Sequence, residues 1–185
     1  MTTPHNGERR ENEMRKQKGF SLIELLIVVA IILIIAAIAI PNLLRARIAA
    51  NESSAVQSIR TMNTAEVTYQ STYPNLGFSS TIPILGPSAA AGCTTPTSTN
   101  ACLLDWVLSQ ATAAASPKSG YYFSEPATVS GGGIVVDYTL NGLPAAANQS
   151  GVRGFCSNSD GVIRFNNPAA AETSNSACAG ITALQ

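Results

Sequence analysis

The sequence predicts an α+β protein in which one long N-terminal helix packs against an antiparallel sheet of three or four strands. Residues 20–40 form an apolar run whose only polar side chains are Ser21 and Glu24. Apolar residues then recur at helical spacing as far as Tyr73. Beyond that point, short β-rich stretches alternate with Gly, Asn and Ser turns. With 185 residues, the chain has room for one domain and an anchor.

The charge balance argues against a broad electrostatic role. The chain has 11 basic and 11 acidic residues, and five of the basic and three of the acidic ones lie in the first 19 positions. The remainder therefore has six basic and eight acidic groups. A nearly neutral, slightly acidic body provides no general basis for nucleic-acid binding.

The apolar run is long enough to be a transmembrane helix, because about 20 apolar residues cross a bilayer core. Arg15, Lys16 and Lys18 lie directly before it. Positive residues favour the cytoplasmic side, so we expect a single-pass protein with a cytoplasmic N-terminus and a periplasmic head.

Two simpler interpretations of the apolar run are a secretory signal peptide and a plain uncleaved anchor. Ala37-Ile38-Ala39 has the small-x-small form of a signal cleavage site. However, the run is longer than a usual signal core, and Pro41 lies just beyond the possible cut. Glu24 argues against both, because a carboxylate at this depth costs about 2.5–3.5 kcal/mol on insertion scales and usually has a partner.

The segment Gly19-Phe20-Ser21-Leu22-Ile23-Glu24, with its basic flank, resembles the N-terminus of type IV pilins and their relatives. The resemblance is close over residues 14–73 and architectural beyond them, and it implies the pilin fold. It also implies that a prepilin peptidase cleaves between Gly19 and Phe20 and methylates the new N-terminus of Phe20. In the assembled filament, Glu24 would pair with the amino group of a neighbouring subunit. No cofactor is implied.

Residues 1–19 are accordingly expected to be a cleaved cytoplasmic leader. This length is unusual for the family, and Met14 begins a compact basic leader of ordinary form. We therefore expect translation to start at Met14. The polar composition of residues 1–13 favours disorder.

Residues 20–41 are expected to form the transmembrane and assembly helix, and residues 42–73 its amphipathic half. Pro41 removes one backbone hydrogen bond and clashes with the carbonyl of Ala37, which predicts a kink or a loosened turn. In the resembled family, a proline at this position marks where the helix bends. The predicted apolar stripe consists of Leu44, Ile48, Ala55, Ile59, Met62, Tyr69 and Tyr73, interrupted by Glu66. The predicted polar face carries Asn51, Ser54, Ser58 and Arg60.

All four cysteines follow the apolar run, which favours disulfides in an oxidising compartment. They lack CxxC spacing and the lone histidine, His5, precedes the membrane segment, so no metal site is expected. Four cysteines allow three connectivities. Pairing of nearest neighbours closes two short loops and is preferred, with buried free thiols as the alternative. The preferred pairs are Cys93–Cys102 and Cys156–Cys178.

Residues 74–185 are expected to form a globular extracytoplasmic head. Residues 74–100 are rich in Pro, Gly, Ser and Thr and predict an irregular connection. A short helix over residues 103–108 is expected to pack Trp106 and Leu103 inward. The strands are expected at 121–124, 134–140, 152–156 and 162–165, with Asn141-Gly142 as a turn.

The sequence indicates no catalytic site, and we expect no enzyme. His5 lies in the leader, so no histidine is available to activate a nucleophile in the head. Asp105, Asp137 and Asp160 lack paired-carboxylate spacing. A calcium loop at Asp137 and Asp160 would not follow EF-hand spacing, so solvated turn residues are the better interpretation.

The resemblance implies a structural subunit of a type IV pilus that polymerises with its own copies and serves adhesion, twitching motility or DNA uptake. The implied partners are the prepilin peptidase, the inner-membrane pilus assembly machinery and, before assembly, membrane lipid. The chain would move from the inner membrane to an extracellular pilus. One alternative is a pseudopilin of a type II secretion system. Another is a membrane-tethered periplasmic binding module that never polymerises.

Overall fold

The computed structural model describes residues 19–130 and 132–184. The chain divides between Ile40 and Pro41 into two units. The expected leader up to residue 18 and the expected start at Met14 lie outside the described residues.

Helix α1 extends from Leu22 to Thr72 and includes Pro41. Pro74 follows its end, where the residue before a proline disfavours helical backbone. The residues on both sides of Pro41 are helical, and the expected kink stays a prediction. Together with the sheet described below, α1 confirms the predicted α+β fold.

The second part of α1, from Pro41 to Thr72, buries one face against the head. Four members of the predicted stripe are buried, namely Ala55, Ile59, Met62 and Tyr69. Leu44, by contrast, is 53% exposed, so the stripe is wrong at its start. Ser58 was expected on the polar face but is buried, and its hydroxyl contacts Lys118 Nζ at 3.3 Å. A lysine from outside the helix thus allows a polar residue on the packed face.

Within the described residues, the head contains one antiparallel sheet of five strands. In sheet order, β1, β3, β4 and β5 are neighbours, and β2 pairs with β3 outside this path. The predicted count of three or four strands is therefore too low. The strand bounds are β1 Tyr121–Ser124, β2 Ala127–Val129, β3 Val135–Pro144, β4 Gly154–Asn158 and β5 Arg164–Asn166.

The predicted turn at Asn141-Gly142 is wrong, because both residues lie inside β3. Asn141 is buried, and its side-chain amide exchanges two hydrogen bonds with the backbone of Glu172, at 2.9 and 2.7 Å. A Cβ at Gly142 would lie 3.1 Å from the Phe123 ring and 3.2 Å from Ile59 Cδ1. Glycine therefore allows α1 and β1 to approach β3 closely.

The core lies between α1 and the sheet. Tyr121, Phe123, Leu140 and Phe155 contribute buried side chains from the strands. The connection from α1 adds Phe78, whose ring packs edge-on against Tyr138 at 4.8 Å. Burying one large apolar side chain contributes about 1.5–3 kcal/mol, so this cluster holds α1 against the sheet.

In the part of the head that the structure describes, three short helices are present: α2 Ile82–Leu85, α3 Trp106–Ser109 and α4 Asn175–Ala179. Only α3 was predicted. Asp105 caps it by accepting a hydrogen bond from Leu108 N at 2.9 Å. The expected inward residues were partly wrong, because Leu104 and Leu108 are buried, whereas Leu103 and Trp106 are only half-buried.

Both disulfides join nearest neighbours, which is the pairing that the sequence analysis preferred. Cys93 and Cys102 are bonded with their Cα atoms 5.8 Å apart. Cys156 of β4 and Cys178 of α4 are bonded with a Cα separation of 6.0 Å. The first closes a loop in the connection after α1, and the second fastens the C-terminal segment to the sheet.

Candidate processing and assembly segment

Gly19, Phe20 and Ser21 precede α1 and are exposed. Phe20 is 87% exposed. A Cβ built at Gly19 would meet no atom within 4 Å, so packing in the described part of the chain does not require glycine there. Any requirement for glycine at this position would arise from a protein that binds the segment.

Glu24 lies in the first turn of α1 and folds back onto the helix start. Its Oε2 accepts a hydrogen bond from the backbone N–H of Ser21 at 3.0 Å. Leu25 N donates to Ser21 O at 3.2 Å, which begins the helical ladder. The Ser-x-x-Glu spacing and the back-reaching carboxylate match one half of a capping box. The negative charge also lies at the positive end of the helix dipole.

This capping contact was missed by the sequence analysis, although its signal was available. A Ser followed three residues later by Glu, at the start of an apolar run, is the usual mark of a helix N-terminus. The contact means that Glu24 has an acceptor role within its own chain. Any function of its charge in assembly would therefore be additional to this local structural function.

The first part of α1 exposes an unusually apolar surface. From Leu22 to Ile40, every side chain is exposed except that of Ala36, which is half-buried. Within the described residues, α1 is the one helix long and apolar enough to cross a membrane. Large contiguous apolar surfaces mark contacts with lipid or protein. Pro41 is also exposed and directly follows this segment.

The second part of α1 is tied to the head by an ion pair that the sequence analysis missed. Glu52 is 6% exposed. Its Oε1 accepts hydrogen bonds from the backbone N–H groups of Val152 and Arg153, both at 3.1 Å. Its Oε2 lies 2.7 Å from an Arg153 guanidinium nitrogen. The guanidinium also lies over the rings of Phe155 and Phe165, at 5.5 and 5.3 Å.

These contacts govern the acidity of Glu52. Burial by itself raises the pKa of Glu52, but the hydrogen bonds from Arg153 and Val152 and the charge of Arg153 outweigh burial and lower the pKa below its ordinary value. The partner is about one hundred residues away in sequence, and periodicity along α1 carries no information about it.

The segment at the start of α1 matches known proteins. Residues 14–40 match the family model described as the prokaryotic N-terminal methylation motif. Over 40 residues the chain is 68% identical to the type IV wide pilus major component PilA4 of Thermus thermophilus, covering 22% of this chain and 30% of that protein. Over 54 residues it is 45% identical to the type IV major pilin protein PilA of Myxococcus xanthus, covering 29% of this chain and 24% of that protein.

The matches cover less than a third of each relative, and no solved structure matches the chain. The methylation motif and the two pilin relatives identify the N-terminal segment of this chain as similar to that of type IV pilins.

Proposed function

We propose that this protein is a structural subunit of a type IV pilus. The observation that carries the proposal is the exposed apolar first part of α1, from Leu22 to Ile40, which lies within the stretch that matches the methylation motif. An apolar helix surface of this extent needs lipid or other copies of itself. Polymerisation meets this need, because the same helices then bury one another. Adhesion, twitching motility or DNA uptake would be properties of the whole fibre.

In this proposal the chain first inserts into the inner membrane with its N-terminus in the cytoplasm. The prepilin peptidase then cleaves between Gly19 and Phe20 and methylates the amine of Phe20. The exposure of both residues supports their access to an enzyme. The inner-membrane assembly machinery finally transfers the processed chain from lipid to the filament, with residues 74–185 as the exposed head.

Glu24 would combine two roles. Its Oε2 caps the helix through Ser21 N, and a carboxylate has further lone pairs to offer. The capping contact orients the carboxylate, so that Oε1 is available to the ammonium on Phe20 of a neighbouring subunit. Methylation leaves that amine charged. Pairing in the membrane would offset the cost of about 2.5–3.5 kcal/mol for inserting the carboxylate.

Processing is tested by mass spectrometry of the chain in sheared extracellular filaments and in the membrane fraction of the same cells. We expect abundant chain in the filaments, beginning at N-methylated Phe20. Gly19→Ala should block cleavage and leave the unfolding midpoint of the head unchanged, because the site is open. The same processed chain found only in the membrane fraction would indicate the pseudopilin alternative. An unprocessed wild-type chain in both fractions would contradict the proposal.

Two substitutions at Glu24 separate charge from capping. Glu24→Gln removes the charge but keeps an acceptor that can cap Ser21 N, since Gln also serves in capping boxes. Glu24→Val removes both. We expect both variants to insert and to be cleaved, and both to yield no sheared filaments. Wild-type fibre yield from Glu24→Gln would refute the charge pairing and leave capping as the function of Glu24.

A further inference from the structure

Two carboxyl groups meet in the head, far in sequence from the processing segment. Glu66 of α1 is 0% exposed, and Glu125, between β1 and β2, is half-buried. Ser79, which is also buried, lies between them. Its N–H donates to Glu66 Oε2 at 2.8 Å, and its Oγ lies 2.7 Å from Glu66 Oε1 and 3.3 Å from Glu125 Oε2.

Among the described residues, Ser79 is the one that donates hydrogen bonds to this pair, which is too few for two ionised carboxylates. The Ser79 hydroxyl has one hydrogen, but its Oγ is close to Glu66 Oε1, to Glu125 Oε2 and, at 3.2 Å, to the carbonyl oxygen of Thr81. An ionised carboxylate only accepts hydrogen bonds. If both were ionised, three acceptors would compete for one hydrogen and two like charges would lie side by side.

One additional proton removes this conflict. A protonated Glu125 becomes a donor, to Ser79 Oγ or to Glu66, while Ser79 donates to Glu66 Oε1. We propose that Glu125 holds a proton at neutral pH, and that Glu66, Ser79 and protonated Glu125 form an acid clasp that fastens the connection after α1 and the β1–β2 turn to α1. The clasp loosens when the pH rises and the proton leaves.

The surroundings of the acid clasp support this assignment. Burial first, and then the neighbouring Glu66, raise the pKa of Glu125 well above its usual range. The other titratable groups facing the pair are Tyr69 of α1 and Tyr138 of β3. Burial and Glu66 raise the pKa of Tyr69, and burial, Glu66 and Glu125 raise the pKa of Tyr138. Asp137 of β3 and Asp160 of the turn between β4 and β5 also face Tyr138. In the described ranges no lysine or arginine forms an ion pair with Glu66 or Glu125.

The proton has a route to solvent. Glu125 lines an open cavity of about 320 Å³, next to Ile82, Pro83 and Phe123. A proton released from Glu125 can therefore pass to bulk water without unfolding of the head. The acid clasp can therefore open and close reversibly. Its opening requires neither cleavage nor assembly of the chain.

The sign of the pH dependence follows from linkage. The folded state holds a proton that the unfolded state releases near the ordinary glutamate pKa of about 4.3. The stability from the clasp is therefore fully present below that pH and is lost as the pH rises through the folded pKa. One proton changes the unfolding equilibrium constant about tenfold per pH unit across this interval.

The first test measures how the unfolding equilibrium constant of the full-length chain changes with pH. The chain is kept in detergent with both disulfides intact. Unfolding by denaturant is followed by the fluorescence of Trp106, the single tryptophan, from mildly acidic to mildly alkaline pH. We expect Glu125→Gln to remove the contribution of one proton to this pH dependence. The unfolding equilibrium constant of the variant should therefore change about tenfold less per pH unit than that of the wild type. In Glu66→Gln, the pH dependence due to Glu125 should end at a lower pH than in the wild type, because Glu125 no longer has a negative charge beside it. The control, Glu172→Gln, replaces a half-buried carboxyl outside the clasp and should match the wild type.

The second test detects the proton directly and does not require the Glu125 variant to fold. It uses Glu24→Gln as background, because Glu24 is the carboxyl in the apolar segment. At neutral pH, infrared spectroscopy should show the carbonyl stretch of a protonated carboxylic acid in this folded chain. The band should disappear at alkaline pH, and also in a folded Glu24→Gln/Glu125→Gln chain. Absence of the band at neutral pH, or the same pH dependence of unfolding in the wild type and Glu125→Gln, would overturn the proposal.

Discussion

The two parts of α1 share one backbone conformation but differ in what surrounds them. From Leu22 to Ile40 the side chains are exposed and almost all apolar, whereas the part from Ala55 to Tyr69 buries one face in the head. The second part is stabilised by its own chain. Within the described residues the first part has no such packing, and in the proposed pilus its stability would come from lipid or from other copies. The sequence pattern separates these cases, because the first part is apolar at almost every position, whereas the second part is apolar only at helical spacing.

The three glutamates of α1 show the same contrast at single positions. Glu24 contacts only the backbone of its own helix start in the described part of the chain. Glu52 is neutralised by Arg153. Glu66 is fully buried against Ser79 and its neighbour Glu125. A carboxylate on this helix is thus stabilised by a helix terminus, by a cation or by a shared proton, depending on what packs against it.

The largest expected difference between the two parts comes from truncating one isoleucine in each. Ile59 is fully buried, and its Cδ1 would lie 3.2 Å from a Cβ at Gly142. Ile59→Ala removes buried methyl groups and leaves a cavity against β3. We expect the free energy of unfolding of the head to fall by about 2–5 kcal/mol. The measurement is denaturant unfolding of the full-length chain in detergent, followed by Trp106 fluorescence.

Ile32→Ala is the matched control, because Ile32 is 57% exposed and lies in the first part of α1. Its effect on unfolding of the head should stay within about 0.5 kcal/mol. A similar loss of stability from both substitutions would mean that the head depends on the first part of the helix, and the contrast drawn above would be wrong.

Sequence patterns that extend over many residues were sufficient to predict the fold class. The apolar run, the amphipathic continuation and the motif around Gly19 each extend over several residues. The preferred cysteine pairing, which closes the two shortest loops, also agrees with the structure. There Cys93 is bonded to Cys102 and Cys156 to Cys178.

Short elements and buried polar groups could not be predicted in the same way. Strand β2 has three residues and α2 has four, too few for either period to be visible. Asn141-Gly142 has the composition of a turn, but the hydrogen bonds of Asn141 with Glu172 and the close packing at Gly142 hold the pair in a strand. Ser58 and Glu66 are buried because Lys118 and Ser79 reach them from other parts of the chain.

The smallest expected difference is between two ion pairs of the described residues, Glu52–Arg153, which joins α1 to the head, and Asp160–Arg164, which lies within the head. Glu52 is buried and also accepts two backbone N–H groups, so Glu52→Ala leaves Arg153 and these donors without an acceptor. Unpaired buried groups of this kind cost about 1–3 kcal/mol. Because Arg153 is partly exposed, we expect a loss of about 2 kcal/mol rather than the larger values for fully buried pairs. Asp160→Ala breaks the more exposed pair with Arg164 and should cost less than about 1 kcal/mol.

The pH dependence sharpens this comparison, because Glu52 and Glu125 act in opposite directions. The pKa of Glu52 is lowered in the folded state, so its contribution is present above the unfolded pKa and is lost as the pH falls through the folded one. Glu52→Gln should therefore flatten the acidic limb of a plot of unfolding free energy against pH. Glu125→Gln should flatten the part of the same plot at higher pH, above the ordinary glutamate pKa. If Glu52→Gln left the acidic limb unchanged, the ion pair with Arg153 would not be the source of acid sensitivity. The stability of the head would then depend on carboxylates outside α1, such as Asp160, whose pKa is lowered by the hydrogen bonds from Arg164.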